Sequence, residues 1–247
     1  VFLYNWNEQI NLWTKYYQKR YPGIFSKDIN DIHTIEDTLY LATDYGLLVY
    51  QIKNNKWILL DISSGLPSDI IYKLAYYNDM LYLATESGLA MVSVKTNNLI
   101  DVYFHSLNRG EIFDMIFLDE YLYVLNNDGL IKMNTQSDKY SILVEKKFEK
   151  IDIKNKNIVL MKNDNLYLLK NDYDLKLLFN YQSIEDFDIC NDYLWAHNKS
   201  NALIYNIKSN YKLEYDSSDG IIGNRINRVE CDDEWVWFST NDGISFY

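Results

Sequence analysis

The sequence LYLATDYGL at residues 39–47 decides the fold, because it recurs almost unchanged as LYLATESGL at residues 81–89. Weaker copies of the same segment begin at Leu122, Ile158, Leu194 and Val236. The first residues of successive copies are 42, 41, 36, 36 and 42 positions apart. A four-stranded blade of a β-propeller takes roughly 40–45 residues, so the spacing indicates six repeats of blade length.

Each repeat carries a turn signal seven residues after the start of its copy. The residues at this position are Gly46, Gly88, Gly129, Asn165, Asn201 and Gly243. Glycine and asparagine are the residues that most easily adopt a positive φ in a tight hairpin. We therefore predict, in every repeat, a hairpin turn whose backbone conformation excludes most other side chains.

Four strands are predicted in each repeat. Strand a begins at an apolar residue ten or eleven positions before the copy, namely Ile29, Ile70, Ile112, Phe148, Ile184 and Ile226. The copy itself alternates apolar and other residues and forms strand b. Two further strand-like stretches follow the turn, as at residues 47–52 and 57–61, and form strands c and d. Short loops without helical periodicity favour an all-β propeller of about six four-stranded blades.

The two ends of the chain predict how the ring closes. Residues 1–4 resemble a strand c and residues 11–17 resemble a strand d, whereas the last repeat stops after its strand c at residues 244–247. We expect residues 11–17 to pair beside the last blade, because this would bury an open sheet edge. An incomplete seven-bladed propeller is the alternative. In both cases residues 1–247 form a single propeller domain, which we expect to be part of a longer protein.

Composition excludes several classes of partner. The formal net charge of −11 repels polyanions, so we expect no nucleic-acid partner. No apolar run approaches the roughly 20 residues that a membrane-spanning helix needs, so no transmembrane segment is expected. The sequence does not fix the oligomeric state.

Residue chemistry predicts no catalytic centre, cofactor or metal site. His33, His105 and His197 share no motif spacing and are expected to be structural. Cys190 lies four residues before its copy, and Cys231 lies five residues before the next one. A shift of one residue turns a strand side chain to the opposite face, so two free thiols are expected.

Tryptophans fall both inside and outside the repeat pattern. Trp195 and Trp237 occupy the same strand b position, and aromatic residues at a repeating position are expected to pack between blades. Trp6 and Trp235 break the pattern and are expected to be exposed.

A candidate ligand site follows from the strand order. In an antiparallel a-b-c-d blade, the d-to-a and b-to-c connections lie at the same end, and strand a is nearest the axis. The residue before each strand a should therefore ring the mouth of the central channel, where polar side chains can bind a polar ligand. These six mouth residues are Asp28, Asp69, Glu111, Lys147, Ser183 and Arg225.

The segment SGLPSDI at residues 64–70, followed by LYLATESGL at residues 81–89, resembles the two-component regulator propeller repeat. The best matches span residues 28–92 and 217–247, whereas residues 111–216 have drifted from the pattern. The resemblance implies a periplasmic or extracellular bacterial domain. Many members form the sensor part of hybrid histidine kinases that is thought to recognise glycan fragments, and related repeats occur in surface-associated and secretion-associated proteins.

Three functions are compatible with this sequence. The first is a non-enzymatic propeller that binds a glycan or another polar ligand, or a protein partner, as the extracytoplasmic sensor domain of a signalling protein. The second is a structural scaffold in a cell-envelope or secretion assembly. The third is a polysaccharide-active propeller enzyme, against which the sparse histidines and scattered acids argue.

Overall fold

The computed structural model describes residues 2–7, 12–17, 29–103, 110–137, 139–171, 173–232 and 235–247, and for residues 2–7, 12–17 and 98–103 only the backbone pairing. The chain divides into two compact units, residues 1–128 with 132–140 and residues 129–131 with 141–247. Nearly all of the described elements are antiparallel strands. They form six blades of three or four strands, which confirms the predicted six-bladed propeller.

The first unit begins with a two-stranded sheet and continues with blades that follow the repeats. The two-stranded sheet contains β1 (Phe2–Asn7) and β2 (Leu12–Tyr17). The first blade contains β3 (Ile29–Ile35), β4 (Thr38–Thr43), β5 (Gly46–Gln51) and β6 (Lys56–Leu60). The second contains β7 (Ile71–Tyr77), β8 (Met80–Thr85), β9 (Gly88–Ser93) and β10 (Asn98–Tyr103). The third contains β11 (Ile112–Leu118), β12 (Tyr121–Asn126), β13 (Leu130–Asn134) and β14 (Tyr140–Val144), and the division into units falls within it.

The second unit continues the same pattern. The fourth blade contains β15 (Lys150–Lys154), β16 (Asn157–Lys162), β17 (Asn165–Asn171) and β18 (Asp174–Asn180). The fifth contains β19 (Asp186–Cys190), β20 (Tyr193–His197), β21 (Ala202–Asn206) and β22 (Lys212–Tyr215). The sixth contains β23 (Ile226–Cys231), β24 (Val236–Thr240) and β25 (Ile244–Phe246). Two 3-10 turns, Ile62–Ser64 and Ser217–Asp219, lie in d-to-a loops.

The N-terminal strands pair differently from the expectation. Residues 11–17 were expected beside the last blade, but β2 pairs with β1 in a separate sheet, with Phe2 opposite Tyr17 and Asn7 opposite Leu12. Among the described residues, the sixth blade has three strands. The physical reason is that residues 1–4 and 11–17 carry c-like and d-like sequences, and such neighbours form a local hairpin with little loop-closure entropy.

The hydrophobic core of each unit lies between successive blades. Tyr40 and Val49 of the first blade join Leu74 and Leu83 of the second in one fully buried cluster. Strand b and strand c supply most of these side chains, because their alternation directs every second residue toward the neighbouring blade. The repeats therefore predict the core as well as the strands.

Tryptophans test the predicted interblade packing. Trp195 is almost fully buried and meets Phe238 of the sixth blade edge to face at 5.6 Å, so its prediction is confirmed. Trp237 is exposed and contacts Phe246 of its own blade instead. Trp235 is exposed as predicted, whereas the side chain of Trp6 lies outside the described residues.

Glycine at the b-to-c turn is required by both φ and space. Gly46 has a φ of 111°, and a Cβ there would lie 2.3 Å from the backbone oxygen of Leu60. A Cβ on Gly129 would lie 1.9 Å from the backbone oxygen of Val144. The hydroxyl of Thr43 donates to the Gly46 oxygen at 2.7 Å and closes the turn. The turn prediction is confirmed for all four glycines, which have positive φ.

The two asparagine turns depart from the prediction. In the fourth blade the positive φ falls on Asn163, and Asn165 already begins β17. In the fifth blade the Oδ1 of Asn198 accepts hydrogen bonds from the backbone N–H groups of Ser200 and Asn201. Here a side-chain acceptor replaces the turn geometry that glycine provides.

The cysteines form a disulfide, so the expectation of two free thiols is wrong. Cys190 and Cys231 are bonded, with their Cα atoms 5.7 Å apart. By strand register Ile189, opposite Leu194, is the equivalent of Cys231, opposite Val236, so Cys190 lies one residue further along. The one-residue offset does place the two side chains on opposite faces. Successive blades meet through opposite faces, however, and the offset therefore brings the thiols together.

Candidate functional site

In the first unit, acidic residues at the predicted mouth accept hydrogen bonds that stabilise the loops. The backbone N–H of Gly46 donates to the Asp69 carbonyl at 2.7 Å, which places a b-to-c turn and a d-to-a loop at the same end. The Asp69 carboxylate accepts from the Ile62 N–H at 2.8 Å. The Glu111 carboxylate accepts from the Tyr72 hydroxyl at 2.8 Å. These two mouth residues are half-buried and support the loops, and Asp28 lies outside the described residues.

In the second unit, the mouth residues are exposed. The N–H of Ser183 donates to Asp164 Oδ1 at 2.8 Å, and the N–H of Arg225 donates to Asn241 Oδ1 at 2.9 Å. These bonds again join d-to-a loops to b-to-c turns and fix the loop backbones. Lys147, Ser183 and Arg225 are exposed. Two of these three are cations on an acidic chain, so this end suits an anionic or hydroxyl-rich ligand.

A repeated Asp-to-Gly loop shapes two of the d-to-a connections. Asp61 accepts hydrogen bonds from Ser63 and Ser64 at the start of the first 3-10 turn, and the bond from Ser63 is the main cause that lowers the pKa of Asp61. Gly65 ends the turn with a φ of 100°. In the last loop, Asp216 and Gly220 repeat this arrangement, with Gly220 at a φ of 109°. The Gly-Leu-Pro motif thus begins where this turn ends.

The sequence reasoning missed a charge pattern on strand a. The residue eight positions before each copy alternates between acid and base through all six blades: Asp31, Lys73, Asp114, Lys150, Asp186 and Arg228. The repeat alignment contains this signal, because the six charged residues share one position in the repeat. Because strand a lies innermost in a blade, the pattern puts matched charges on the inner strands.

Four of the alternating charges form two ion pairs between successive blades, one pair in each unit, whereas Arg228 pairs with Glu230 of its own strand. Lys73 Nζ lies 3.4 Å from Asp31 Oδ2, and that oxygen also accepts the backbone N–H of Leu74 at 2.9 Å. In the second unit, Lys150 Nζ pairs with Asp186 and donates to the Phe187 carbonyl at 2.6 Å. These pairs are largely shielded from water and hold the innermost strands together.

Two acids lie on neighbouring inner strands of the second unit, Asp152 on β15 and Asp188 on β19. Asp152 accepts the Ile189 N–H at 2.7 Å, and Asp188 accepts the Cys231 N–H at 2.5 Å. Desolvation, with a hydrogen bond to Asp152, raises the pKa of Asp188 to about 8. Asp188 is therefore protonated at neutral pH and acts as a structural hydrogen-bonding group.

The histidines are structural in the described part of the chain. His197 is fully buried, and its Nδ1 donates to the Asn198 carbonyl at 2.9 Å. Burial lowers the pKa of His197 and of His33, so both rings are neutral at physiological pH. The Nε2 of His197 has no hydrogen-bond partner, which the structural expectation did not foresee. His105 lies outside the described residues.

The described residues contain neither a metal-binding cluster nor a membrane-spanning helix. No cluster of three or more His, Cys, Asp or Glu side chains among them is arranged to hold a metal ion. None of the helical segments that the structure describes has the length and apolar character to cross a membrane.

Comparison with known proteins gives the fold but no family. No family model matches the chain, and no curated protein matches it. Among solved structures, PorZ, a bacterial surface component of the type-IX secretion system of Porphyromonas gingivalis, aligns over 99% of this chain and 34% of its own, with a TM-score of 0.74 and 13% identity. The extracellular domain of BT3049 from B. thetaiotaomicron, described as a hybrid two-component system, aligns over 96% and 36%, with a TM-score of 0.74 and 17% identity.

A eukaryotic propeller is similar as well. The β-propeller domain of Cps50 (Swd1) from Myceliophteria thermophila aligns over 98% of this chain and 88% of its own, with a TM-score of 0.69 and 10% identity. This chain spans about a third of the length of the two bacterial proteins. At these identities the similarity establishes a shared six-bladed β-propeller fold, and the bacterial neighbours are extracellular or cell-surface proteins.

Proposed function

We propose that this chain is a non-enzymatic binding domain that recognises a polar ligand or a protein partner through its d-to-a loops. The observation that carries the proposal is the exposed trio Lys147, Ser183 and Arg225. Hydrogen bonds fix the loop backbone at Ser183 and at Arg225. Pre-formed loops lose little conformational entropy on binding, which favours recognition. The ligand class that these groups suit is an oligosaccharide or another hydroxyl-rich or anionic molecule, with no cofactor.

The setting we propose is the extracytoplasmic part of a bacterial sensor. Support comes from the similarity to the extracellular domains of BT3049 and BT4673, which are described as two-component or one-component systems. The Cys190–Cys231 disulfide supports a periplasmic or extracellular location, because disulfides persist in oxidising compartments. The family resemblance of the repeat motif favours the same setting.

A glycan array followed by calorimetry tests the proposal. The triple variant Lys147→Ala, Ser183→Ala and Arg225→Ala should bind an array hit at least tenfold more weakly, since losing two or more hydrogen bonds to charged groups costs upward of about 1.4 kcal/mol. Lys212→Ala, which removes an exposed cation from β22, is the matched control and should bind normally. Unchanged affinity in the triple variant would reject this face.

A scaffold role is the second candidate, favoured by the similarity to the secretion-system component PorZ. In that case the same loops would hold a protein rather than a sugar. Crosslinking and copurification from the native source separate the two, because a stoichiometric protein partner supports the scaffold and a bound saccharide supports the sensor.

A further inference from the structure

An aromatic cleft opens in the second unit between the outer strands of the fifth and sixth blades. It has a volume of about 430 Å³, which lies within the usual range of roughly 300–1,000 Å³ for small-molecule sites. The cleft has a wall from each blade, and the disulfide lies at one side of it. Its described lining consists of Cys190, Asn191, Tyr193, Trp195, Ile204, Tyr211, Leu213, Tyr215, Val236 and Tyr247.

The floor of the cleft is a pre-organised group of rings. Trp195 is only 4% exposed, and its ring lies 6.3 Å from the Tyr215 ring in a stacked arrangement and 5.2 Å from the Tyr247 ring. The Tyr215 hydroxyl donates to the Tyr247 hydroxyl at 3.4 Å. This hydrogen bond is the main cause that raises the pKa of Tyr215 to about 12, so the phenol is uncharged at physiological pH.

The rim combines apolar ring faces with uncharged polar groups. Tyr193, Tyr211 and Tyr247 are 46%, 59% and 61% exposed, and each offers a ring face and a hydroxyl. Asn191 adds an amide. None of the described lining residues is charged, although the chain carries a net charge of −11. A charged ligand would lose its hydration without gaining a counter-charge, which is unfavourable.

We propose that this cleft binds an uncharged sugar ring. A neutral pyranose has apolar C–H faces that stack on aromatic rings and a rim of hydroxyl groups that exchange hydrogen bonds with phenols and amides. A hydrocarbon ligand would match the rings but leave the hydroxyl groups and the amide without partners. The cleft is a different site from the mouth residues and does not depend on the function proposed for them.

Titration calorimetry with the full chain tests this site. The probes are neutral tetrasaccharides of glucose, mannose and xylose, with a tetragalacturonate as the charged comparison. We expect saturable binding of at least one neutral probe and at least tenfold weaker binding of tetragalacturonate. Tyr211→Ala and Tyr247→Ala should each weaken the neutral probe about tenfold, which corresponds to about 1.4 kcal/mol for a lost stacking partner and its hydrogen bond.

Two variants make the assignment specific. Tyr247→Phe keeps the ring and should weaken binding less than Tyr247→Ala does. Tyr173→Ala removes a tyrosine that is 74% exposed in the same unit but does not line the cleft, and its affinity should stay at the wild-type value. The triple mouth variant should also bind the neutral probe normally, so failure of the mouth proposal and failure of this one give different results.

Three results would overturn the inference. The first is the absence of saturable binding for every neutral probe by the folded protein. The second is wild-type affinity in both the Tyr211→Ala and the Tyr247→Ala variant. The third is a crystal structure of the protein in which residues of the chain itself, or of a second copy, fill the cleft in the presence of saturating probe.

Discussion

Replacing both Cys190 and Cys231 by serine removes a covalent connection between the fifth and sixth blades. The bond closes a loop between residues 41 positions apart in the sequence. A crosslink stabilises a protein mainly because it restricts the unfolded chain, and the effect grows with the length of the loop. The sixth blade has three described strands, so it has less surface with which to hold its position than a four-stranded blade.

The expected loss follows from the loop length. In the chain-entropy model, a loop of about 42 residues corresponds to about 13 cal/mol/K of unfolded-state entropy, or about 4 kcal/mol at 25 °C. Domains are commonly stable by only about 5–15 kcal/mol, so this loss is a large part of the total. Hydrogen exchange should show it most clearly in strands β23 to β25, because the bond ties this blade to its neighbour.

Urea unfolding under non-reducing conditions measures the change, with tryptophan fluorescence and circular dichroism as the two probes. The double serine variant should unfold at lower urea, by about 4 kcal/mol in the free energy of unfolding. Wild-type protein treated with dithiothreitol should unfold like the variant, which then should not respond to the reductant. The comparison separates loss of the bond from any effect of serine itself.

Thiol counting gives the result that would refute the reasoning. If the oxidised wild-type protein reacts with two equivalents of a thiol reagent under denaturing conditions, the bond does not form. If the bond forms but its removal leaves the urea midpoint unchanged, the unfolded chain is already restricted near the two cysteines, and the entropy argument does not apply to this loop.

Three other substitutions address the turns and the charges of strand a. Gly46→Ala should cost about 2–4 kcal/mol in urea unfolding, because its Cβ meets a backbone oxygen at 2.3 Å, whereas Gly220→Ala has a similar φ and open space and should cost about 1 kcal/mol. Desolvation raises the pKa of Asp188 to about 8, above its value of 3.8 in the unfolded chain, so wild-type stability should fall as pH rises from about 4 to 8. Asp188→Asn should flatten that profile in melting experiments, and an unchanged slope would contradict the raised pKa of Asp188. Asp31→Ala leaves the Leu74 N–H unpaired and should lower the free energy of unfolding by about 1–3 kcal/mol more than Asp31→Asn does, as measured by urea unfolding.

The strands and the core were predictable because their signals are local and repeated. The copy at residues 39–47 predicts one strand, one turn and one buried face. Because the chain has six such copies, the pattern is recognisable even where a single repeat departs from it. Gly46 shows why the turn signal is strong: both its φ and the nearby carbonyl exclude a side chain. Asn165 shows the limit, since a residue type that tolerates a positive φ does not compel one.

Features that depend on contacts between blades were harder to predict. The offset of Cys190 and Cys231 was measured correctly, but its meaning depends on which face of one sheet meets which face of the next. The pairing of β2 with β1 depends on which edges of these strands meet, and a sequence pattern does not specify the edge. Both cases depend on how a strand or a sheet meets its neighbour, and the period of a strand carries no information about that.

The candidate sites differ in how far the repeat itself determines them. Each mouth residue holds one fixed position in the repeat, so its place could be predicted, but whether it braces a loop or faces solvent depends on partners such as Tyr72 and Asn241. The aromatic cleft has no fixed repeat position, because Tyr211 directly precedes β22 of the fifth blade and Tyr247 directly follows β25 of the sixth. Variation between blades therefore determines which chemical groups each of the two proposed sites presents.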